Sequence, residues 1–140
     1  MAIIESIRDY ILTCPYLSTL ARVNVEFLPA DASTYSVEAV PAQTIIATDI
    51  NGGTTRQFVF VFAARLNYTD ELRNNIDNSG FYEQFENWLE DNSDNEVFPT
   101  LETDLTPVKI EALSSGYLFD IGDYQNARYQ IQCRLIYEKG

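Results

Sequence analysis

"IEALSSGYLFDIGDYQNARYQIQCRLIY", residues 110–137, decides how the chain is read. Its second part alternates strictly: Tyr129, Ile131, Cys133, Leu135 and Tyr137 fall on one side, and Arg128, Gln130, Gln132 and Arg134 on the other. A period of two marks a strand with one buried face, because successive side chains of a pleated strand point to opposite sides. The stretch therefore reads as two strands around a turn. Its polar row either faces solvent, as one side of an antiparallel sheet can, or forms a protein interface. Arg and Tyr are favoured at interface centres, and a long strand left at an edge invites a neighbour.

Upstream, "QFVFVFAARL" (57–66) sets Phe58, Phe60 and Phe62 on one face and Val59, Val61 and Ala63 on the other. Both faces are apolar, so this strand belongs in the centre of the sheet. "INGGTT" (50–55) before it supplies hairpin chemistry through Gly52 and Gly53. It has no GK[ST] and no following helix, which sets aside a phosphate cradle. Residues 35–49 read as short extended pieces broken by Pro41, and Val23, Val25 and Phe27 as one face of a half-buried strand ended by Pro29, with a loop at 30–33.

Two helical stripes complete the pattern. Ile3, Ile4, Ile7, Tyr10 and Ile11 predict a helix over 2–13, stopped before Pro15, and Phe81, Phe85, Trp88 and Leu89 predict a second over 79–92. Thr69, Asp70 and the Asn-rich run to Gly80 read as a connecting loop, and "DNSDNEVFPTLETDLTP" (91–107) as an acidic exposed one. The expected fold is a single α+β domain over residues 1–140: a mostly antiparallel sheet with two helices packed on one face.

Composition narrows the function. The 140 residues carry 21 acidic and 9 basic side chains, a net charge of −12, which repels a phosphate backbone and argues against nucleic-acid binding. The acidity serves solubility or has a further use. With no histidine, the usual general base and triad partner is missing, and Glu83, Glu86, Glu90, Asp91 and Asp94 read as the solvated face of the second helix rather than an acid/base pair. "DNSDNE" (91–96) lacks the glycine and terminal glutamate of an EF-hand loop, and no metal or other cofactor is expected. Cys14 and Cys133 are far apart and outside any CxxC, so a reduced core thiol is the better reading of Cys133. No signal peptide and no run of the ~20 apolar residues needed for a membrane span are seen, which predicts a cytosolic protein.

The order FYEQFENWLEDN (81–92), a Pro-Thr-Leu loop, KIEALSSGYLFD (109–120) and ARYQIQCRLIYEK (127–139) resembles the tail terminator, or minor capsid, proteins of long-tailed phages and prophages of Gram-positive bacteria. The match covers roughly residues 81–138, and the front half agrees in layout only. The resemblance implies a non-enzymatic structural protein. It forms a ring of six on the head-proximal end of the tail tube, stops tube growth and offers the surface to which the filled head docks. Its implied partners are further copies of itself, the tail tube protein and the head–tail connector or stopper; DNA passes through the lumen without specific binding. Its implied place is the virion, after assembly in host cytoplasm. A head–tail completion or stopper protein on the portal side is the alternative, and a small carboxylate enzyme the remote one. A ring needs two different patches per subunit. The expectation is that Arg128, Gln130, Gln132 and Arg134 form one of them, the two arginines meeting Glu102 or Asp104 of the next copy. An acidic lumen would keep DNA from sticking.

Overall fold

The computed structural model describes residues 2–17, 22–29, 34–67, 72–121 and 126–140. The loop expected at 30–33 lies outside them, as do Thr69 and Asp70. Among the described residues nine elements follow in order: α1 (Ile3–Ile11), β1 (Val23–Val25), β2 (Thr34–Ala39), β3 (Ile45–Thr48), β4 (Thr54–Asn67), α2 (Leu72–Asp94), β5 (Leu105–Ala112), β6 (Tyr117–Ile121) and β7 (Asn126–Lys139). The fold is the expected α+β arrangement, a mixed and mostly antiparallel sheet with both helices on one face.

The axis of the sheet is the antiparallel pair β4–β7, in register from Thr54 opposite Lys139 to Asn67 opposite Asn126. The Phe strand is central, as its two apolar faces require, and β7 is central too rather than at an edge. β2 and β3 lie end to end along the outer side of β4, with β1 parallel to β2 beyond. β5 and β6 lie end to end along the outer side of β7. The quoted stretch is thus three strands, not two: the end of β5, then β6, then β7. Both short outer strands exist because one 14-residue strand outruns its partners and needs two to satisfy its length.

The register puts Phe58, Phe60, Phe62, Val37, Ile110, Ile131, Cys133 and Leu135 on the helix side. Ile7, Tyr10 and Ile11 of α1 and Tyr82, Phe85 and Leu89 of α2 close over them. Phe85 stacks on Phe62 with ring centroids 4.6 Å apart, and burying side chains of this size is worth about 1.5–3 kcal/mol each. α1 ends as its stripe predicts, with Leu12 N–H on the Arg8 carbonyl and the Thr13 hydroxyl on that of Tyr10.

Three expectations need correction. α2 begins at Leu72, not 79, so the seven residues 72–78 read as loop are helical, and it runs on to Asp94. Asn-rich sequence and Gly80 are poor helix formers, but once Tyr82, Phe85 and Leu89 anchor the helix each further residue adds one backbone bond. The acidic loop is correspondingly shorter, 95–104: Asp91–Asp94 finish α2, and Pro107 lies inside β5 beside a shift of register that absorbs its missing donor. Finally, only Val23 of the Val23/Val25/Phe27 set is buried, and Phe27 is 63% exposed. Glu26 adopts φ 58° and turns the chain out of the alternation. Its N–H bonds to the Val37 carbonyl and its carboxylate takes the Ala39 N–H at 2.7 Å.

Candidate interface: the polar face of the sheet

The face away from the helices is built by the other parity of the same strands. Arg128, Gln130, Gln132 and Arg134 stand along β7, with Val59, Val61, Ala63 and Arg65 beside them on β4, Ser36 and Glu38 on β2, and Glu111 on β5. The polar row predicted from the alternation is real, and the structure shows what it touches.

Arg128 holds Glu38 through both guanidinium nitrogens, at 2.8 and 3.2 Å, and its Nε donates to Gln130 Oε1 at 3.0 Å. Its guanidinium also lies 5.2 Å from the centre of the Phe119 ring, a cation–π distance. Gln130, 6% exposed, spends its amide N–H₂ on the Tyr117 hydroxyl. Arg134 donates from Nε to Glu111 at 2.8 Å and from a terminal nitrogen to Gln57 Oε1 at 3.2 Å, with Lys109 a second cation on Glu111. Gln132 points to solvent while its backbone closes the gap between β5 and β6: its carbonyl accepts from Leu113, and its N–H donates to the Ser114 hydroxyl.

Among the described residues two ion-pair clusters therefore cross the strands within one chain; Arg128, Glu38, Arg134 and Glu111 are each partly buried and bonded at more than one atom, and Lys109 is exposed. The bidentate Arg128–Glu38 pair has the geometry of the stronger ion pairs, whereas Arg134 meets Glu111 at one atom, nearer the usual surface pair of under about 1 kcal/mol. Among the described residues the carboxylate partners of Arg128 and Arg134 are Glu38 and Glu111. Glu102 and Asp104 lie exposed on the 95–104 connection, where the Glu102 carbonyl takes the Leu105 N–H. A contact from either arginine to the next copy must add to these pairs or replace them. Sequence reasoning missed Glu38 and Tyr117; the one signal for Glu111 is that it alternates with Ile110 and Ala112 on the strand that ends at the Ser114–Gly116 turn.

The buried thiols and phenols are packed rather than poised. Cys14 and Cys133 are both buried free thiols, and burial pushes both up, Cys133 well up, which keeps them protonated and unreactive. Burial likewise raises Tyr82, whose hydroxyl donates to the Tyr129 carbonyl at 3.0 Å. Tyr10 is raised for the same reason, against a hydrogen bond from Asn92. A groove of about 300 Å³ between α2 and β5 is lined by Glu86, Glu90, Asp94 and Glu111 with Lys109, and a second of about 410 Å³ runs between α1 and residues 97–100. Among the described residues no three acidic or cysteine side chains converge as metal ligands, the 91–96 stretch included. No helix of the described residues is long and apolar enough to cross a membrane. The sequence matches no protein-family model and no curated protein.

Proposed function

We propose that this chain is a structural, non-catalytic phage protein that assembles head-to-tail into a ring on the head-proximal end of the tail tube, ends tube growth and receives the head. The observation that carries this reading is that the separate segments of the resemblance are in contact with one another. Tyr82 of the FYEQFENWLEDN segment packs against Gly116 of the SSG segment, so closely that a β-carbon at 116 would overlap it. Ser93, just past the first segment, takes the Ile110 N–H of the second, and the second and third are strands paired along their length. A signature spread over nearly sixty residues thus describes one packed unit, α2 on β5–β6–β7, which supports its being a constraint of fold and not chance similarity.

The electrostatics favour a scaffold over a catalyst. Carboxylates on the polar face are held by arginines, not set near a group to be protonated. Between Glu83 and Asp104 the chain carries eight acidic residues and no basic one, so the negative charge gathers on α2 and the connection after it. In a ring, that concentration on one wall repels DNA wherever the wall faces the lumen. The partners are further copies, the tail tube protein and a connector on the head side, and the place of action is the virion.

The test is to polymerise the cognate tube protein with and without this chain and to measure tube lengths and ends by negative-stain electron microscopy. Rings capping one end, with growth arrested, are expected. Uncapped tubes of unchanged length overturn termination and transfer the protein to the portal side of the joint, where binding to portal complexes is measured next.

A further inference from the structure

Natural sheets blunt their edges, because a bare edge strand offers unpaired N–H and C=O groups to any neighbour. Two edges of this sheet are treated in that way. On β1, the Arg8 guanidinium takes the Val23 carbonyl at 2.9 Å and Glu26 turns the strand away. On β5, Pro107 removes a donor and the Ser93 hydroxyl takes the Ile110 N–H. β3 and β6 differ. Each has a bulge, but neither carries a proline, a lysine or, among the described residues, a side-chain cap on its backbone. What they present is mainly apolar: Ile45 and Ile46 on β3, and Leu118, Phe119 and Ile121 on β6, all 40–59% exposed, with a single charge, the exposed Asp120, on β6.

The two open edges sit at opposite corners. β3 pairs with the start of β4, which lies against the end of β7, whereas β6 pairs with the start of β7. Their polarities are complementary. Across β3–β4–β7–β6 every pairing is antiparallel, so β3 and β6 run in opposite directions. A second copy in the same orientation, placed beyond β6, therefore brings its β3 alongside with the alternation unbroken. The two edges differ and each copy owns one of each, which is the condition for a head-to-tail contact that closes by rotation.

We infer that β6 of one copy pairs antiparallel with β3 of the next, so that the sheet runs on around the assembly; the inference rests on the ring reading above and names its joint. Successive copies step about ten residues, ~33 Å, along the strands at each joint of four strands, so in a closed ring the strands incline to the ring axis by roughly 60°, more steeply than in ordinary barrels at about 35–45°. All helices then lie on one wall and the Arg128–Arg134 face on the other.

The experiment uses the full chain with its tube protein, reading rings by electron microscopy and native mass spectrometry. A lysine placed on an open edge, Ile46→Lys or Ile121→Lys, is expected to raise the concentration for half-assembly by roughly tenfold or more, since edge lysine is how sheets prevent pairing. Val108→Lys, on the blunted β5 and equally exposed, leaves assembly unchanged. A second measurement does not depend on loss: a mixture of Ile46→Cys and Ile121→Cys chains treated with a short bis-maleimide gives mixed dimers, and either chain alone does not. Rings that survive both lysines, or no preference for mixed dimers, overturn the edge pairing and leave the ring reading standing. A protein that forms no ring on tube ends under any condition overturns both.

Discussion

Replacing Gly116 by alanine tests the packing on which the C-terminal unit depends. The added β-carbon overlaps Cβ and Cγ of Tyr82, and a side-chain rotation cannot relieve this because Cβ is fixed to the α2 backbone. Either α2 or the β5–β6 connection must move by about 1 Å, and overpacking of this kind costs ~1–3 kcal/mol. The shift also drags the Tyr82 hydroxyl from the Tyr129 carbonyl, 3.0 Å away, leaving a buried donor with only the longer contact to the Phe62 carbonyl at 3.5 Å, a loss of ~1–3 kcal/mol at most. A total of about 3–4 kcal/mol lowers the melting temperature of a domain this size by roughly 10–15 °C. Urea unfolding followed by the fluorescence of the single tryptophan, Trp88, reads this directly, since that ring packs on Tyr10 and Phe85 in the helix layer. Gly80→Ala is the internal control: inside α2, its new β-carbon meets nothing within 4 Å, and it is expected to stabilise by ~0.5–1 kcal/mol. A Gly116→Ala protein within about 0.5 kcal/mol of the parent refutes the close approach of α2 to the SSG turn.

The polar face gives two further predictions. Arg128→Ala strips Glu38 and Gln130 of their donor and is expected to cost about 1–2 kcal/mol, with a favourable coupling to Glu38→Ala in a double-mutant cycle; additive single mutants would show that the pair does no stabilising. Arg134→Glu sets a carboxylate against Glu111 and lowers stability by itself, so the exchange Glu111→Arg/Arg134→Glu, which keeps the pair, is the variant to compare in assembly; failure of the exchange to recover any stability counts against the pairing. The buried acids set the pH behaviour. Cys133 and Tyr82 are raised by burial above ordinary values of 9.0 and 10.0, so the folded form stays protonated while the unfolded chain ionises. Stability is thus full below pH ~9 and falls above it, by about 1.4 kcal/mol per pH unit for each such group, whereas an unchanged melting temperature to pH 11 would contradict it. Aromatic disulfide reagents should leave both thiols untouched in the native protein and titrate two on denaturation; fast native reaction is the contrary result.

What could be read from the residues, and what could not, divides along physical lines. The face assignments of β4 and β7 follow from strict period-two alternation, and α1 from its apolar stripe, because these patterns reflect burial directly. β5 was hidden because Pro107 reads as a loop residue unless its bulge is known, and the first turns of α2 because local propensity there opposes a helix that anchoring further along sustains. The arginine row was legible, but its partners were not. Glu38 lies 90 residues before Arg128, and only the pairing of β2 with β4 and of β4 with β7 brings the two side chains to one place.

The position of β7 governs the order in which this fold can form in time. β4, β5 and β6 all pair with it, and no rung of the β4–β7 ladder joins residues closer in sequence than Asn67 and Asn126. During synthesis β4 waits with its β7-facing edge unpaired until β7 has been made, although the helices that cover its phenylalanines come earlier in the chain. Folding dominated by such distant pairings takes milliseconds to seconds, and a bare apolar strand is most prone to aggregate during that interval. Translation speed and chaperone supply over the stretch from 68 to 126 should then govern the yield of folded chain more strongly than the stability of the finished sheet.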